Sequence, residues 1–418
     1  MRRLLAGLLL AAMAAPLDAY SVLSHEALID ALWDPVVVPL LQRRFPNATP
    51  AELNVAHGFA YGGCVVQDLG YYPFGNRFFS DLAHYARTGD FVVALVNEAR
   101  TVDEYAFALG ALSHYVADNV GHPLAVNLAV AQMYPKLRSQ FGDNVTYANS
   151  PRAHVITEFS FDVVQITGAG YLPRTFHSYI GFHVARDLLE RGFQKTYGLR
   201  LSDMFFWERL SLAVYRVSAG EIVPSLGYGV WRREKKKLLR LDPQLVTTRF
   251  KYKLASGNFL RPVSRKPRSL KPWNWHWADS AKRANGHLGG RIVAALIGIL
   301  PKVGPLSTLK FRAPTFPVQS LFIDSFDESI AGYEYGLGGV SDPSPVLPEV
   351  NLDTGDPSGV GSYDLADRTY ARWLHLLAKH RFRDLSPGVR ENILKYYANA
   401  QKPFGAKTLA EVERLRLR

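Results

Sequence analysis

The segment AFALGALSHYVADNVGHPLAV, residues 106–126, is largely apolar, yet it carries His114, Asp118 and His122 at every fourth position. On an α-helix each residue advances about 100°, so four residues drift about 40° and eight about 80°. The three side chains therefore share one face, and the apolar setting turns that face inward. A lone histidine there is usually a satisfied core residue. Two histidines in register with an aspartate read as half of a metal site, whose other half must come from elsewhere in the chain.

Further donors stand at intervals around this segment. HVITE places His154 and Glu158 one helical turn apart, GGCVVQDLGYYP offers Asp68, and DLAHYARTGD offers His84. His25 follows an N-terminal stretch, MRRLLAGLLLAAMAAPLDA, with a basic start, an apolar run and a small residue, Ala19, ahead of a possible cut. That pattern predicts a secretory signal peptide over residues 1–19, with an apolar part too short for a transmembrane helix. The expected location is secreted or periplasmic. Cleavage after Ala19 would make Tyr20 the first residue, and its free amine and carbonyl can chelate a metal beside His25. The single cysteine, Cys64, excludes an internal disulfide framework and a thiolate-rich zinc site. His, Asp, Glu and backbone donors in an oxidising compartment suit zinc.

This ordered set resembles the zinc-dependent phospholipase C family and the single-strand-specific zinc nucleases that share its fold. The resemblance runs from about Tyr20 to Gly220 and rests on the order of the elements, since each two-residue element alone is common. It implies up to three zinc ions. The first would take Asp68, His84, His114 and Asp118. The second would take His122, His154 and Glu158, and the third Tyr20, His25 and a bridging Asp118. It also implies that Asp68 orients the attacking water or accepts its proton. Two departures stand out: tyrosine replaces the family's usual first-residue tryptophan, and the gap from Asp118 to His122 is two residues shorter than usual. The second group is where altered geometry is expected.

The elements that must position these residues read as helices. Apolar residues at three- and four-residue spacing recur through most of the first half, and NATPAEL supplies a cap-and-proline start. From Tyr228 to Gly304 the chain turns basic, Trp-rich and broken by Pro and Gly. Residues 305–418 end in helices, opened by Ser386–Pro387 and by a Thr408/Glu411 capping box. The expectation is a mainly α, multi-helix phospholipase C/zinc nuclease-like fold. It has a helical domain over 20–227, a less regular basic segment over 228–304 and a C-terminal region over 305–418.

Composition bounds the function. The chain has 418 residues, 48% hydrophobic and 21% charged, which describes a globular protein. Its net charge of +12 is local: Arg232 to Arg283 hold sixteen Lys or Arg against three acidic residues. Trp273, Trp275 and Trp277 lie in the same stretch. Basic residues beside tryptophans suit an anionic membrane surface or nucleic acid, or form only a solvated face. Tyr71, Tyr72, Phe74, Phe78 and Phe79 follow Asp68 and would line a head-group pocket or, more commonly for such a run, core. His57, His177 and His183 fall off the pattern and read as structural. Three function classes follow: a phospholipase C-like hydrolase yielding diacylglycerol and a phosphorylated head group, a single-strand nuclease, and a non-catalytic, metal-stabilised membrane-binding protein.

Overall fold

Thr49 opens a helix with a reciprocal cap: its hydroxyl accepts from Glu52 N–H, and the Glu52 carboxylate accepts from Thr49 N–H at 2.8 Å. The computed structural model describes residues 21–167, 181–241, 311–342, 344–383, 385–398 and 404–418. Among them the architecture is helical, with no strand and one isolated antiparallel bridge between Val350 and Pro357. In chain order the helices are α1 Val22–Leu32, α2 Val38–Arg44, α3 Pro50–Gly63, α4 Arg77–Tyr85, α5 Thr88–Glu98 and α6 Val102–Gly121. There follow α7 Asn127–Met133, α8 Pro135–Phe141, α9 Pro151–Phe161, α10 Arg186–Tyr197, α11 Leu201–Met204, α12 Glu208–Val217 and α13 Val223–Leu241. The C-terminal region supplies α14 Phe316–Gly339, α15 Asp364–Lys379, α16 Pro387–Ala398 and α17 Ala406–Arg416. No described helix is long and apolar enough to cross a membrane.

α6 is the central helix, capped by the Thr101 hydroxyl and buried along most of its length. α3 lies so close to it that a Cβ on Gly63 would stand 2.0 Å from the Phe107 carbonyl oxygen. A Cβ on Gly110 would stand 2.1 Å from the Ala60 carbonyl oxygen. Only glycine permits that backbone approach, and it brings the Cys64 carbonyl, just past α3, onto the His114 ring. On another side α14 packs against α6, with Tyr333 donating to the Leu109 carbonyl at 3.0 Å. One apolar core runs from Val22 and Leu23 through Phe107 and Leu112 to Phe322, Trp373 and Leu415.

Two proline positions break the regular helical ladder. Pro123 has no N–H to give the carbonyl four residues back, and the chain answers with a π turn over His122–Val126. Pro35 sits in a second such turn, Trp33–Val37. The basic region differs from expectation at its start. α13 continues through Tyr228 to Leu241, because Trp231 and Leu238 recur at helical spacing and pack on Phe159, Val163 and Val164. Arg232, Arg233, Lys235, Lys236 and Lys237 are exposed on this helix. Trp273, Trp275 and Trp277 lie outside the described residues.

Candidate metal centre

Six separate elements carry the predicted donors inward, His122 coming from the π turn His122–Val126. α1 owes its placement to α9's neighbour: the Asp162 carboxylate accepts from Leu23 N–H at 2.8 Å and Ser24 N–H at 3.0 Å. A carboxylate at a helix N-terminus satisfies orphan amides and the helix dipole together. This fixes His25, whose ring stacks on His114 with centroids 4.5 Å apart. Asp68 lies on a short 3-10 turn, Val66–Tyr71, pinned where Gln67 donates to the Ala111 carbonyl at 2.9 Å. His84 comes from α4, His114 and Asp118 from α6, and His154 and Glu158 from α9.

Three groups of donors result, each with its ligand atoms mutually within 4.8 Å: His25, His114 and Asp118; Asp68, His84 and His114; and His122, His154 and Glu158. Asp118 joins the first two. Its Oδ2 stands 3.1 Å from His114 Nε2 and 3.3 Å from His84 Nε2, and its Oδ1 lies 3.5 Å from His25 Nε2. Asp68 Oδ1 is 3.3 Å from His84 Nε2. In the third group Glu158 Oε1 is 2.7 Å from His154 Nδ1 and 3.5 Å from His122 Nε2. The short Asp118–His122 spacing therefore does not keep His122 out of its group. Tyr20 lies outside the described residues.

These residues fit metal ions on two observations. Both oxygens of Asp68, Asp118 and Glu158, with His122 Nε2 and His154 Nδ1, are buried and make no hydrogen bond. Burying unsatisfied carboxylates costs several kcal/mol each unless a counter-charge is present. In addition, four imidazoles have their outward nitrogen tied. His84 Nδ1 donates to the Ser80 carbonyl at 2.8 Å and His114 Nδ1 to the Cys64 carbonyl at 3.0 Å. His122 Nδ1 donates to the Leu352 carbonyl at 2.9 Å and His154 Nε2 to Asn127 Oδ1 at 2.9 Å. Each ring is thereby held in the tautomer that turns a lone pair into the cluster.

The electrostatics agree. Burial pushes the Glu158 carboxyl up to about 8 against the pull of His122, and it raises Asp68 as well. Burial opposes charge on His84, His114 and His122 too, yet the facing carboxylates, Asp118 foremost, raise all three. Burial and then His114 hold His25 well below the ordinary imidazole value, and burial takes His154 down to about 4. Asp118 is held well below the carboxylate range by His114 and His122, although burial works the other way.

Sequence reasoning missed several supporting residues. Tyr147 stands against His154 with centroids 5.7 Å apart, as Tyr71 does against His84 at 5.8 Å. The Arg77 guanidinium lies over both tyrosines, at 5.7 and 5.4 Å, and donates to the Tyr147 hydroxyl. Of the aromatic run after Asp68, only Tyr71 touches a cluster histidine. Phe79 stacks on Phe193, Tyr72 meets Tyr215, Phe78 lies under Arg372 and Phe74 turns to Trp207. Asn127, Leu352 and Asp353 are the other omissions; no spacing in the sequence marks them. Off the pattern, His57 pairs with Asp30 at 2.8 Å and stacks on Trp33, while His183 faces Phe59. His177 lies outside the described residues.

A helical scaffold thus carries buried carboxylates and oriented imidazoles in three groups that could each hold a metal ion. Residues 24–207 match the family model described as zinc dependent phospholipase C. All eight described ligand candidates fall within this span. Neither the curated proteins nor the solved structures compared gave a match.

Proposed function

We propose that this chain is a secreted zinc-dependent phosphodiester hydrolase that cleaves phospholipid to diacylglycerol and a phosphorylated head group. The observation that carries the reading is the set of buried, unsatisfied donors of Asp68, Asp118, His122, His154 and Glu158, all inside the matched domain. Asp68, His84, His114 and Asp118 would hold one zinc, His122, His154 and Glu158 a second, and His25 with Asp118 and the Tyr20 amine and carbonyl a third. When bound, zinc acidifies water towards a pKa of about 7 and offsets charge on phosphoryl oxygens. Asp68 Oδ1 faces His84, and its second oxygen, Oδ2, also free of hydrogen bonds, orients the attacking water and takes its proton. The Ser80 and Cys64 carbonyls keep the His84 and His114 rings from turning as charge shifts.

The test is a screen of purified protein against phospholipid vesicles, a small soluble phosphodiester and single-stranded DNA, with and without chelator. Diacylglycerol release that stops with chelator and returns with zinc is expected. Cleavage of DNA alone would move the assignment to a nuclease, and neither activity in zinc-loaded protein would leave a metal-stabilised binding protein. The same screen examines membrane contact. Reversing charge at Arg232, Arg233, Lys235, Lys236 and Lys237 should weaken adsorption to anionic vesicles, at about 1 kcal/mol per basic residue. Turnover of the soluble phosphodiester should remain.

The N-terminus gives a separate expectation. If the Tyr20 amine is a ligand, protein starting at Tyr20 will retain more zinc than protein carrying one extra residue before it. Elemental analysis of both forms measures this, and equal zinc content removes the third ion from the reading.

A further inference from the structure

The third donor group is braced from outside the matched domain. Leu352, fully buried, takes His122 Nδ1–H on its carbonyl at 2.9 Å and gives its own N–H to the His84 carbonyl at 3.1 Å. The Asp353 carbonyl accepts from Asn127 Nδ2 at 2.8 Å, and Asn127 Oδ1 accepts from His154 Nε2 at 2.9 Å. The Asp353 side chain is anchored in turn: Oδ2 accepts from the Tyr85 and Tyr363 hydroxyls, and Oδ1 stands 3.7 Å from His122 Nδ1. The loop is itself closed. Asn351 Oδ1 accepts from Asp353 N–H, Asn351 N–H donates to the Asp356 carbonyl, and Val350 bridges Pro357. Gly355, at φ +75°, lets the turn lie against Asn119 and Pro123, where α6 passes into the His122 turn.

We propose that residues 350–357 form a positioning strap that sets His122 and His154 for the metal of the His122–His154–Glu158 group. Asp353 on the strap and Asn127 at the start of α7 are the positioning residues. The physical reason is a division of labour. α6 and α9 place the two rings near each other, but each ring can still rotate about its Cβ–Cγ bond. For His122 the lock is a carbonyl some 230 residues away in the chain. For His154 it is an amide whose own orientation is set by the same loop. The inference rests on reading the cluster as a metal centre, and its readout is metal retention rather than hydrolysis.

The experiment uses the full chain loaded with zinc and titrated with chelator, beside a cobalt-substituted sample followed by its visible spectrum. Asn127→Ala and Asp353→Ala should each release one equivalent of metal about 10- to 100-fold more readily. The remaining equivalents should hold as in wild type. Asp353→Asn keeps an oxygen for the two tyrosine hydroxyls and should restore most of the affinity. Asn127→Ala leaves the loop's own bonds intact, so it carries the test if Asp353→Ala does not fold. Folded Asn127→Ala with wild-type zinc retention and cobalt spectrum overturns the proposal, as does Asp353→Asn no better than Asp353→Ala. Wild-type protein that binds no zinc would instead sink the metal-centre reading itself.

Discussion

Asp118→Ala should lower phosphodiester hydrolysis by at least about 10³-fold, and His114→Ala should match it. Bound metal contributes several kcal/mol of charge stabilisation in the transition state, and each 1.36 kcal/mol is tenfold in rate. Asp118 is the most exposed to this arithmetic because two groups lean on it. Its Oδ2 faces His84 and His114 while Oδ1 faces His25, so one substitution removes a donor from both. His114 likewise belongs to two groups. Metal analysis must accompany the rates: the variants should fold and carry fewer zinc equivalents. Full activity in a folded Asp118→Ala protein would overturn the assignment of the site.

Protein stripped of metal should become less stable as pH rises between about 6.5 and 8, and the stabilisation given by zinc should grow across that window. Glu158 has a folded-state value of about 8 against an ordinary 4.5. A group whose folded pKa is raised binds its proton more tightly in the fold than in the unfolded chain. Its contribution is complete below the ordinary value and is lost as pH climbs through the folded one. At 1.36 kcal/mol per unit, Glu158 alone accounts for roughly 2 kcal/mol of loss across this window. His84, His114 and His122 are raised and act in the same direction above 6.5. His154, held down to about 4, costs stability only on the acid side, below the ordinary imidazole value. Zinc requires these ligands deprotonated and so relieves the loss at high pH. Thermal unfolding with zinc or chelator at the two ends of the window measures it. A zinc-induced rise in Tm that is flat with pH would contradict the cluster electrostatics.

The Asp118 and strap substitutions separate ligands from their supports. Loss of Asp118 removes a donor from two groups at once. Loss of the 350–357 strap leaves every donor in place and loosens only the angle at which two of them are presented. The strap belongs to the C-terminal region, which shares one apolar core with the matched domain through α14 against α6. The domain match ends at residue 207, so a fragment stopping there would lack the acceptor of His122 Nδ1–H.

Sequence alone determined the helical class and put His114, Asp118 and His122, and His154 with Glu158, on shared helix faces, because both follow from local periodicity. Asp68, His84 and His25 came only from the order of the elements. A four-residue repeat of His and Asp in an apolar run dictates a shared inward face whatever surrounds it, and His154 with Glu158 obeys the same rule. The cap at Thr49 was legible from a different local signal, a capping residue followed by proline. Tertiary structure alone decided how these pieces meet. Glycine contact between α3 and α6 brings the Cys64 carbonyl to His114, and Asp162 caps a helix more than a hundred residues before it. Only the fold divides the aromatic run after Asp68, turning Tyr71 to His84 and sending Phe79 into core. The locks on His122 and His154 were invisible because a backbone carbonyl has no sequence signature. Leu352 acts through an atom that every residue possesses, and only the folded chain determines which carbonyl arrives.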